Sequence, residues 1–300
     1  MVLSGSLCAL ATPMRSRDDG LDLEACARLV DYQLDNGTRA LVVAGSTGEA
    51  AALDDAEYSA LIEFVVARVA GRVPVLAGTG QSATAKTIAQ TRRAKAAGAD
   101  AALVVVPAYV RPTQAGMTRH FHAVADDGGL PVVLYNVPAR TGSDLLPATV
   151  AGLAEHGNIV GIKEALPDPR RMQALLALKK DGFRVLSGDD PTAAHAMRAG
   201  ADGVISVAAN VAPKLFSTLC DACLSGDAQA AALDDRLQPL YAVLGAEPNP
   251  IPLKWCLSRL GLGEAHLRLP LLPLSEPYHA KALDVLNGLG LNESGRHAVG

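Results

Sequence analysis

Residues 159–164 have the sequence Ile159-Val160-Gly161-Ile162-Lys163-Glu164, an apolar run that ends in a lysine and a glutamate. A lysine at the end of a buried strand lies where the interior of a fold meets its opening. Burial disfavours the ammonium form, and a neutral lysine amine is a nucleophile that forms a Schiff base with a carbonyl carbon. By itself the run is more typical of a solvated lysine at the end of a strand. A catalytic role for Lys163 therefore depends on the residues around it.

Seven more short apolar runs alternate with longer, alanine-rich segments of helical period. Together the eight runs cover 6–11, 40–44, 73–77, 101–106, 131–135, 159–163, 183–186 and 203–207. The helical segments between them cover 23–36, 54–70, 83–97, 115–125, 147–156, 169–180 and 191–199. Continuous apolar runs are typical of strands covered on both faces, as in a parallel sheet. Eight such units predict an α/β fold, a (β/α)8 TIM barrel.

A doubly wound open sheet is the rival fold, but no Gly-x-Gly-x-x-Gly turn follows the first run. Beyond residue 207 no further β-prone run occurs, and the segments 214–224, 228–244, 251–260 and 277–289 predict helices. We therefore predict a catalytic barrel over residues 1–226 and a C-terminal helical domain over residues 227–300, with a frayed tail from residue 291.

The composition excludes several classes of protein. A net charge of −4 provides no basic field for nucleic acid, and no apolar run reaches the roughly 18 residues of a membrane span. The first basic residue is Arg15, so the positive start of a secretory signal is lacking. Five cysteines, an odd number, are typical of free thiols in a reducing compartment. These features predict a cytoplasmic enzyme.

In a (β/α)8 barrel the chemistry gathers where strands end and the loops to the helices begin. In chain order these ends contain Thr12-Pro13, Gly45-Ser46-Thr47-Gly48-Glu49, Gly78-Thr79-Gly80, Pro107-Ala108-Tyr109, Tyr135-Asn136-Val137-Pro138, Lys163-Glu164, Ser187-Gly188-Asp189-Asp190, and Ser206 with Asn210 nearby. Hydroxyls, glycines and one lysine dominate this set.

Several of these residues have both a functional and an ordinary interpretation. The turn at residues 45–48 suits a carboxylate or phosphate, but a capped βα turn has the same composition. A Schiff-base lysine makes an anionic keto acid the natural guest of this turn. Tyr135 and Tyr109 can pass protons, although strand-end tyrosines more often only pack. Arg140 can hold a second carboxylate through a bidentate pair, or it is a solvated loop arginine.

Three further motifs are expected to have structural roles. Cys220 and Cys223 have C-x-x-C spacing, but no second pair completes a metal site and the motif lies in a predicted helix. His120 and His122 lie two residues apart, on different faces of a helix. The pair Asp189-Asp190 is better suited to capping the next helix than to binding a cation.

Four strings of the sequence match one known family. They are the glycine-flanked Ser46-Thr47 turn, Gly161-Ile162-Lys163-Glu164, Tyr135-Asn136-Val137-Pro138-Ala139-Arg140-Thr141-Gly142, and Glu247-Pro248-Asn249-Pro250-Ile251-Pro252-Leu253-Lys254. The chain resembles the dihydrodipicolinate synthase (4-hydroxy-tetrahydrodipicolinate synthase) family, within the pyruvate-dependent class I aldolases that include N-acetylneuraminate lyase. The resemblance covers nearly the whole chain, and Arg140 is similar to the synthases rather than to the sialic acid lyase.

The resemblance implies a role for each matched position. Lys163 would form a Schiff base with pyruvate, and Tyr135 would move protons and later shield the imine. Ser46, where the family usually has threonine, and Tyr109, reaching into a neighbouring subunit's site, would complete the hydroxyl relay. The substrate-binding positions would be Thr47 for the pyruvate carboxylate, Arg140 for the carboxylate of aspartate semialdehyde, and Gly188 and Ile205 through their backbone carbonyls.

The departures from the family pattern have consequences of their own. Ala108 replaces an aromatic residue that interlocks across a tight dimer in relatives, so packing there should be looser. The positions that match the lysine-binding pocket of lysine-inhibited relatives are Asp55, Tyr58, Ser82 and Lys86. Because Lys86 places a cation where a cationic ligand would dock, lysine feedback is predicted to be weak or absent. A homodimer is implied if Tyr109 acts in trans, and homotetramers are common in the family.

The implied activity is a lyase-type condensation of pyruvate with L-aspartate 4-semialdehyde, giving 4-hydroxy-tetrahydrodipicolinate in lysine and diaminopimelate biosynthesis. The covalent imine on Lys163 would take the place of a metal or organic cofactor. Two alternatives remain open from the sequence: another pyruvate-dependent aldolase such as a sugar-acid lyase, and a non-catalytic relative that binds a keto acid. Arg140 favours the synthase over the lyase, and borohydride reduction with pyruvate tests for the imine.

Overall fold

The computed structural model describes residue 1 and residues 3–291. In this part of the chain eight parallel strands close into a barrel, each bonded to the next and β8 to β1. The strands are β1 Gly5–Ala9, β2 Ala40–Val43, β3 Val75–Gly78, β4 Ala101–Val105, β5 Val132–Asn136, β6 Ile159–Glu164, β7 Arg184–Ser187 and β8 Gly203–Ser206. The predicted (β/α)8 barrel is confirmed, and the open sheet is excluded.

The helices follow the predicted segments to within four residues at each end. They are α1 Leu23–Asp35, α2 Asp55–Val69, α3 Thr84–Ala96, α4 Gln114–Asp127, α5 Pro138–Thr141, α6 Pro147–Leu153, α7 Pro169–Leu176, α8 Asp190–Arg198, α9 Pro213–Ser225, α10 Ala230–Leu244, α11 Ile251–Arg259 and α12 His279–Gly288. Short 3-10 turns occupy Ala50–Ala52, Ala208–Asn210 and Glu276–Tyr278. The sequence did not predict α5, because four residues are too few to show a period.

Local signals explain where several helices begin and end. Asp54 accepts a hydrogen bond from the Glu57 N–H at the start of α2, and the Glu57 carboxylate accepts one from the Asp54 N–H, which is a capping box. After α3 the chain leaves the helix through Gly98 at φ 91°, a left-handed conformation that glycine adopts without strain.

Side chains of the strands alternate between two apolar cores. In β5, Val133 and Tyr135 face the barrel interior, whereas Val132 and Leu134 face the surrounding helices. Both faces of the strand are therefore buried, which explains why the sequence runs are continuously apolar.

One register shift in the ladder between β5 and β6 decides which way Lys163 points. The shift occurs between Val132 and Val133 and leaves one residue of β6 without a partner. Such a bulge exchanges the two faces of the strand beyond it. Past the shift, Tyr135 pairs with Lys163, and both side chains lie on the interior face.

The helices after β8 pack on one side of the barrel. α9 packs against β1, and α10 packs against α8, α9 and α12. α9 ends at Ser225, and Gly226 adopts the left-handed conformation (φ 73°) that closes the helix. The boundary between residues 226 and 227 stays a prediction. Apart from Leu291, the predicted frayed tail lies outside the described residues.

Candidate active site

Lys163 and Tyr135 form the centre of the site, at the carboxyl ends of β6 and β5. The Lys163 side chain is buried, and its Nζ lies 4.3 Å from the centroid of the Tyr135 ring. Neither Lys163 Nζ nor Tyr135 Oη has a hydrogen-bond partner within the described chain. The Lys163 amine, which lies over the tyrosine ring, and the Tyr135 hydroxyl are therefore both available to a guest molecule.

Gly188 and Ile205 complete the surroundings of the lysine on β7 and β8. A Cβ on Gly188 would lie 2.8 Å from Lys163 Cε, so any side chain there would displace the lysine stem. Ile205 is buried in the barrel interior. The structure thus brings Gly188 directly against Lys163, a steric role beyond the carbonyl role that the resemblance implies.

Behind the two site residues, their outward-facing neighbours hold the strands together. The Asn136 side-chain amide donates to Glu164 Oε2 at 3.0 Å and to Asp144 Oδ1 at 2.9 Å. Asp144 in turn pairs with Arg171 of α7. Burial raises the pKa of the Glu164 carboxyl, and its hydrogen bonds to the Asn136 amide and the Leu166 N–H oppose that rise. This network clamps the ends of β5 and β6 in the register that pairs Tyr135 with Lys163.

A second buried carboxyl, Asp190, lies within electrostatic reach of Lys163. Its Oδ2 accepts from the N–H groups of Ala208 at 2.8 Å and Val207 at 3.1 Å. Burial raises the pKa of Asp190, while the Ser206 hydroxyl, these two N–H groups and the Lys163 charge oppose the rise. Asp189 caps α8 by accepting from the Thr192 N–H, as predicted.

The turn after β2 carries Ser46 and Thr47, and the C-terminal helices support it. The Asn249 side-chain amide donates to Thr47 Oγ1 at 2.9 Å, and the Asn249 carbonyl accepts from Arg140 Nη2 at 2.8 Å. Arg140 is exposed on the short helix α5. Asn249, which precedes α11, therefore connects Thr47 and Arg140, the two residues predicted to hold the two substrate carboxylates.

A cavity of about 550 Å³ opens beside this turn. Among the predicted site residues, Ser46, Tyr135 and Arg140 line it. The rest of its wall includes Gly78, Leu103, Val105, Val137, Asn249 and Arg268. Lys163 itself does not line the cavity, whereas Tyr135, whose ring lies against the Lys163 amine, does. The walls combine apolar surface with hydroxyl groups and the side chains of two arginines, which suits a small anionic guest.

Among the predicted relay residues Ser46, Tyr135 and Tyr109, Tyr109 is the one that does not line the cavity. Its side chain is 92% exposed, and its backbone has a left-handed φ of 72°. A non-glycine residue in this conformation costs about 1 kcal/mol. The neighbouring Ala108 lines the cavity, so Tyr109 stands next to the cavity without lining it.

The remaining sequence motifs do not form a metal site. No group of three or more His, Cys, Asp or Glu side chains suited to a metal ion occurs in the described chain. Cys220 and Cys223 are free thiols buried in α9, and burial raises the pKa of both. His120 contacts Thr84, whereas the His122 ring lies 5.4 Å from that of His156.

None of the described helices is long and apolar enough to span a bilayer.

Sequence reasoning missed three residues that hold the site together. Asn249 lies in a string that carried the resemblance, but its two contacts were not foreseen. Glu49 and Lys254 form a buried ion pair beneath the turn. Because these contacts join residues 109 to 205 positions apart, the position of Glu49 directly after the turn was the only local signal.

Comparison with known proteins shows which family the chain belongs to. The model of the dihydrodipicolinate synthetase family matches residues 2–288. The chain belongs to the dihydrodipicolinate synthetase family. It is 59% identical to the 4-hydroxy-tetrahydrodipicolinate synthase of Stenotrophomonas maltophilia, over 94% of this chain and 95% of the relative. It is 61% identical to the synthase of Xanthomonas axonopodis pv. citri, over 94% of this chain and 93% of the relative.

Among solved structures of the family, the chain is similar to a chloride-inhibited dihydrodipicolinate synthase from Acinetobacter baumannii in complex with pyruvate. The two share 42% identity and a TM-score of 0.94, over 97% of this chain and 100% of the other. The dihydrodipicolinate synthetase fold is thus shared over nearly the whole length, including the helices after the barrel.

Proposed function

We propose that this chain condenses pyruvate with L-aspartate 4-semialdehyde to give 4-hydroxy-tetrahydrodipicolinate, in lysine and diaminopimelate biosynthesis. The observation that carries the proposal is the Lys163 amine, buried at the end of a barrel strand and 4.3 Å from the Tyr135 ring centroid. Family membership and two relatives with the synthase name, each about 60% identical, support the same reaction.

The chemistry begins at Lys163. Its neutral amine attacks the ketone carbon of pyruvate, and the resulting carbinolamine loses water to leave an imine. Loss of a proton from the methyl carbon gives an enamine, which forms a carbon–carbon bond with the aldehyde carbon of the semialdehyde. The amine of the adduct then attacks the imine carbon, closes the ring and releases the lysine. The imine is the electron sink, so the proposal includes no metal or organic cofactor.

The remaining site residues move protons and orient the substrates. The Tyr135 and Ser46 hydroxyls pass protons to and from the carbon that Lys163 attacks. Thr47 and the N–H groups of its turn bind the pyruvate carboxylate, and Arg140 binds the carboxylate of the semialdehyde. The carbonyls of Gly188 and Ile205 face the substrate.

Reductive trapping tests the proposal directly. Borohydride reduction in the presence of pyruvate should add one pyruvate-derived group to Lys163, seen by intact mass and peptide mapping. Lys163→Ala should remain unlabelled, whereas Lys281→Ala, which removes an exposed lysine on α12, should be labelled like the wild type. A coupled assay with pyruvate and the semialdehyde should show turnover. An unlabelled wild type, or labelling without turnover, contradicts the proposal.

We also propose a dimer in which Tyr109 enters the partner's site. The 92% exposure of Tyr109 and the 53% exposure of Val110 support this arrangement. In a mixture of inactive Lys163→Ala and impaired Tyr109→Phe proteins, mixed dimers contain one site with an intact lysine and an intact tyrosine. Activity should then rise on mixing. No rise, in a sample shown by sedimentation to contain dimers, contradicts the trans arrangement.

A further inference from the structure

A buried ion pair joins the turn at residues 45–49 to the C-terminal helices. Lys254 Nζ on α11 lies 2.5 Å from Glu49 Oε1, and each side chain is 2% exposed. The other Glu49 oxygen, Oε2, accepts from the Arg268 N–H at 3.3 Å. Among the ion pairs of the described chain, this is the one in which both side chains are less than one-tenth exposed.

The backbone of the turn depends on the conformation of Glu49. Glu49 has a left-handed φ of 53°, its N–H donates to the Ser46 carbonyl at 3.2 Å, and the Ala50 N–H donates to the Gly45 carbonyl at 3.2 Å. A non-glycine residue persists in this conformation only when its surroundings hold it there. The ion pair with Lys254 is such a restraint, and it acts three residues from Ser46.

The same helix start supports the turn at a second point. The Lys254 N–H donates to the Pro250 carbonyl at 2.9 Å, which places Lys254 in the first turn of α11, five residues after Asn249. Asn249 contacts both Thr47 and Arg140. Anchoring Lys254 to Glu49 therefore also fixes the segment that orients these two side chains.

Stability alone is a poor reason for this arrangement. Removing two charges from water costs several kcal/mol per ion, and a buried pair can often be replaced by neutral residues with little loss of stability. Burial lowers the pKa of Lys254, and the adjacent Glu49 carboxylate opposes that shift. A better-supported use of such a pair is to select one geometry of the chain around it.

We propose that Glu49 and Lys254 are positioning residues, whose buried pair holds the Ser46-Thr47 turn in the geometry that binds the pyruvate carboxylate. The inference rests on the proposed function, because it assigns that turn to pyruvate. It separates binding from chemistry, since Lys163 and Tyr135 stand on β6 and β5 and do not contact the pair.

The test uses the double variant Glu49→Gln/Lys254→Met, which leaves no buried charge unpaired and keeps an acceptor for the Arg268 N–H. Each single variant should lower Tm, and the double variant should recover much of that loss. The pyruvate concentration that half-saturates borohydride trapping should nevertheless rise at least about tenfold in the double variant, because small misplacements of binding groups are costly. Labelling at saturating pyruvate should still reach completion.

A matched control lies at the opposite end of the barrel. Asp202, just before β8, is buried and pairs with Lys179 at 3.1 Å. Lys179→Met/Asp202→Asn should lower Tm and leave the half-saturating pyruvate concentration unchanged.

Two results would overturn the inference. One is a double variant whose Tm recovers and whose half-saturating pyruvate concentration equals that of the wild type. The second applies if the double variant does not fold, in which case the single variant Glu49→Gln is the test. A half-saturating pyruvate concentration equal to that of the wild type in Glu49→Gln would then overturn the inference. An unlabelled wild type instead contradicts the proposed function itself, so the two failures are distinguishable.

Discussion

Tyr135 and Lys163 are paired across β5 and β6, with the lysine Nζ over the face of the tyrosine ring. The ring face attracts an ammonium group and covers it from one side. The hydroxyl has no partner in the described part of the chain and is free to exchange protons. Packing and proton transfer are therefore carried by different parts of the same side chain and can be separated by mutation.

Tyr135→Phe should keep the packing and lose the proton transfer. We expect kcat to fall by about 10² to 10⁴, the usual contribution of a positioned proton donor. Tm should change little, because the ring stays in place and no hydrogen bond of the folded chain is lost. The coupled assay and a thermal melt measure the two effects. Tyr241→Phe, which removes a buried hydroxyl outside the barrel, should leave kcat unchanged. A Tyr135→Phe protein with wild-type kcat contradicts the assigned role.

Arg140→Ala should impair use of the aldehyde and spare pyruvate. Arg140 lines the cavity, and within the described residues its hydrogen bond toward the turn goes to the Asn249 carbonyl. Loss of a bidentate carboxylate contact should lower kcat/KM for the semialdehyde by at least about tenfold. Half-saturation of pyruvate trapping should stay within about twofold. Arg170→Ala, at an exposed position of α7, serves as the control. An equal loss for both substrates would argue against a semialdehyde-specific contact.

Lysine should inhibit the enzyme weakly or not at all. Lys86 is exposed on α3, and Asp55 is engaged by Arg93 at 2.6 Å. The Tyr58 hydroxyl donates to the Gly78 carbonyl at 3.0 Å. Half-inhibition in a lysine titration should require more than about 1 mM, the weak end of ordinary affinities.

Reversing the charge at one position tests the reason for weak inhibition. Lys86→Glu removes the like-charge repulsion, so less lysine should be needed for half-inhibition. Lys281→Glu makes the same change of charge on α12 and should have no effect. Half-inhibition of the wild type by lysine well below 1 mM would show the prediction to be wrong.

His120 should make the fold less stable in acid. Its side chain is buried in α4, and burial lowers the pKa of its imidazole from 6.5 to about 4. Between these two values the unfolded chain binds more protons than the folded one, so stability falls as the pH drops through this window. The full window corresponds to at most about 3.5 kcal/mol of the free energy of unfolding.

Urea unfolding at pH 7 and pH 5 measures this loss. His120→Gln lacks the titrating ring and should lose less stability between the two pH values than the wild type. His122→Gln, at a half-buried position of the same helix, should behave like the wild type. Equal losses in the wild type and His120→Gln would assign the acid sensitivity to other groups.

The fold was predictable because each barrel element leaves a local signature. A strand buried on both faces is continuously apolar, and a helix such as α2 carries its own cap at Asp54. The strand-end rule then selects Ser46, Tyr135 and Lys163 from the sequence alone. Helix α5, which carries Arg140, was missed because one helical turn has no measurable period.

The supports of the site were not predictable in the same way. Thr47 and Asn249 are separated by 202 positions and Glu49 and Lys254 by 205, yet each pair is in hydrogen-bond contact. A charged residue in a sequence gives no sign of its burial, since burial depends on what the rest of the chain packs over it.

The sequence by itself determined the order of strands and helices and placed a lysine at the end of β6, because periodicity and burial act over a few neighbouring residues. The tertiary structure decided that this lysine faces the barrel interior. Side chains of a strand alternate with a period of two, and the register shift against β5 sets which residues share a face. On its other side, Gly161 permits the close approach of β7, since a Cβ at that position would lie 2.6 Å from the Arg184 carbonyl oxygen. Pairing between strands, which no single segment specifies, thus turned the amine toward Tyr135.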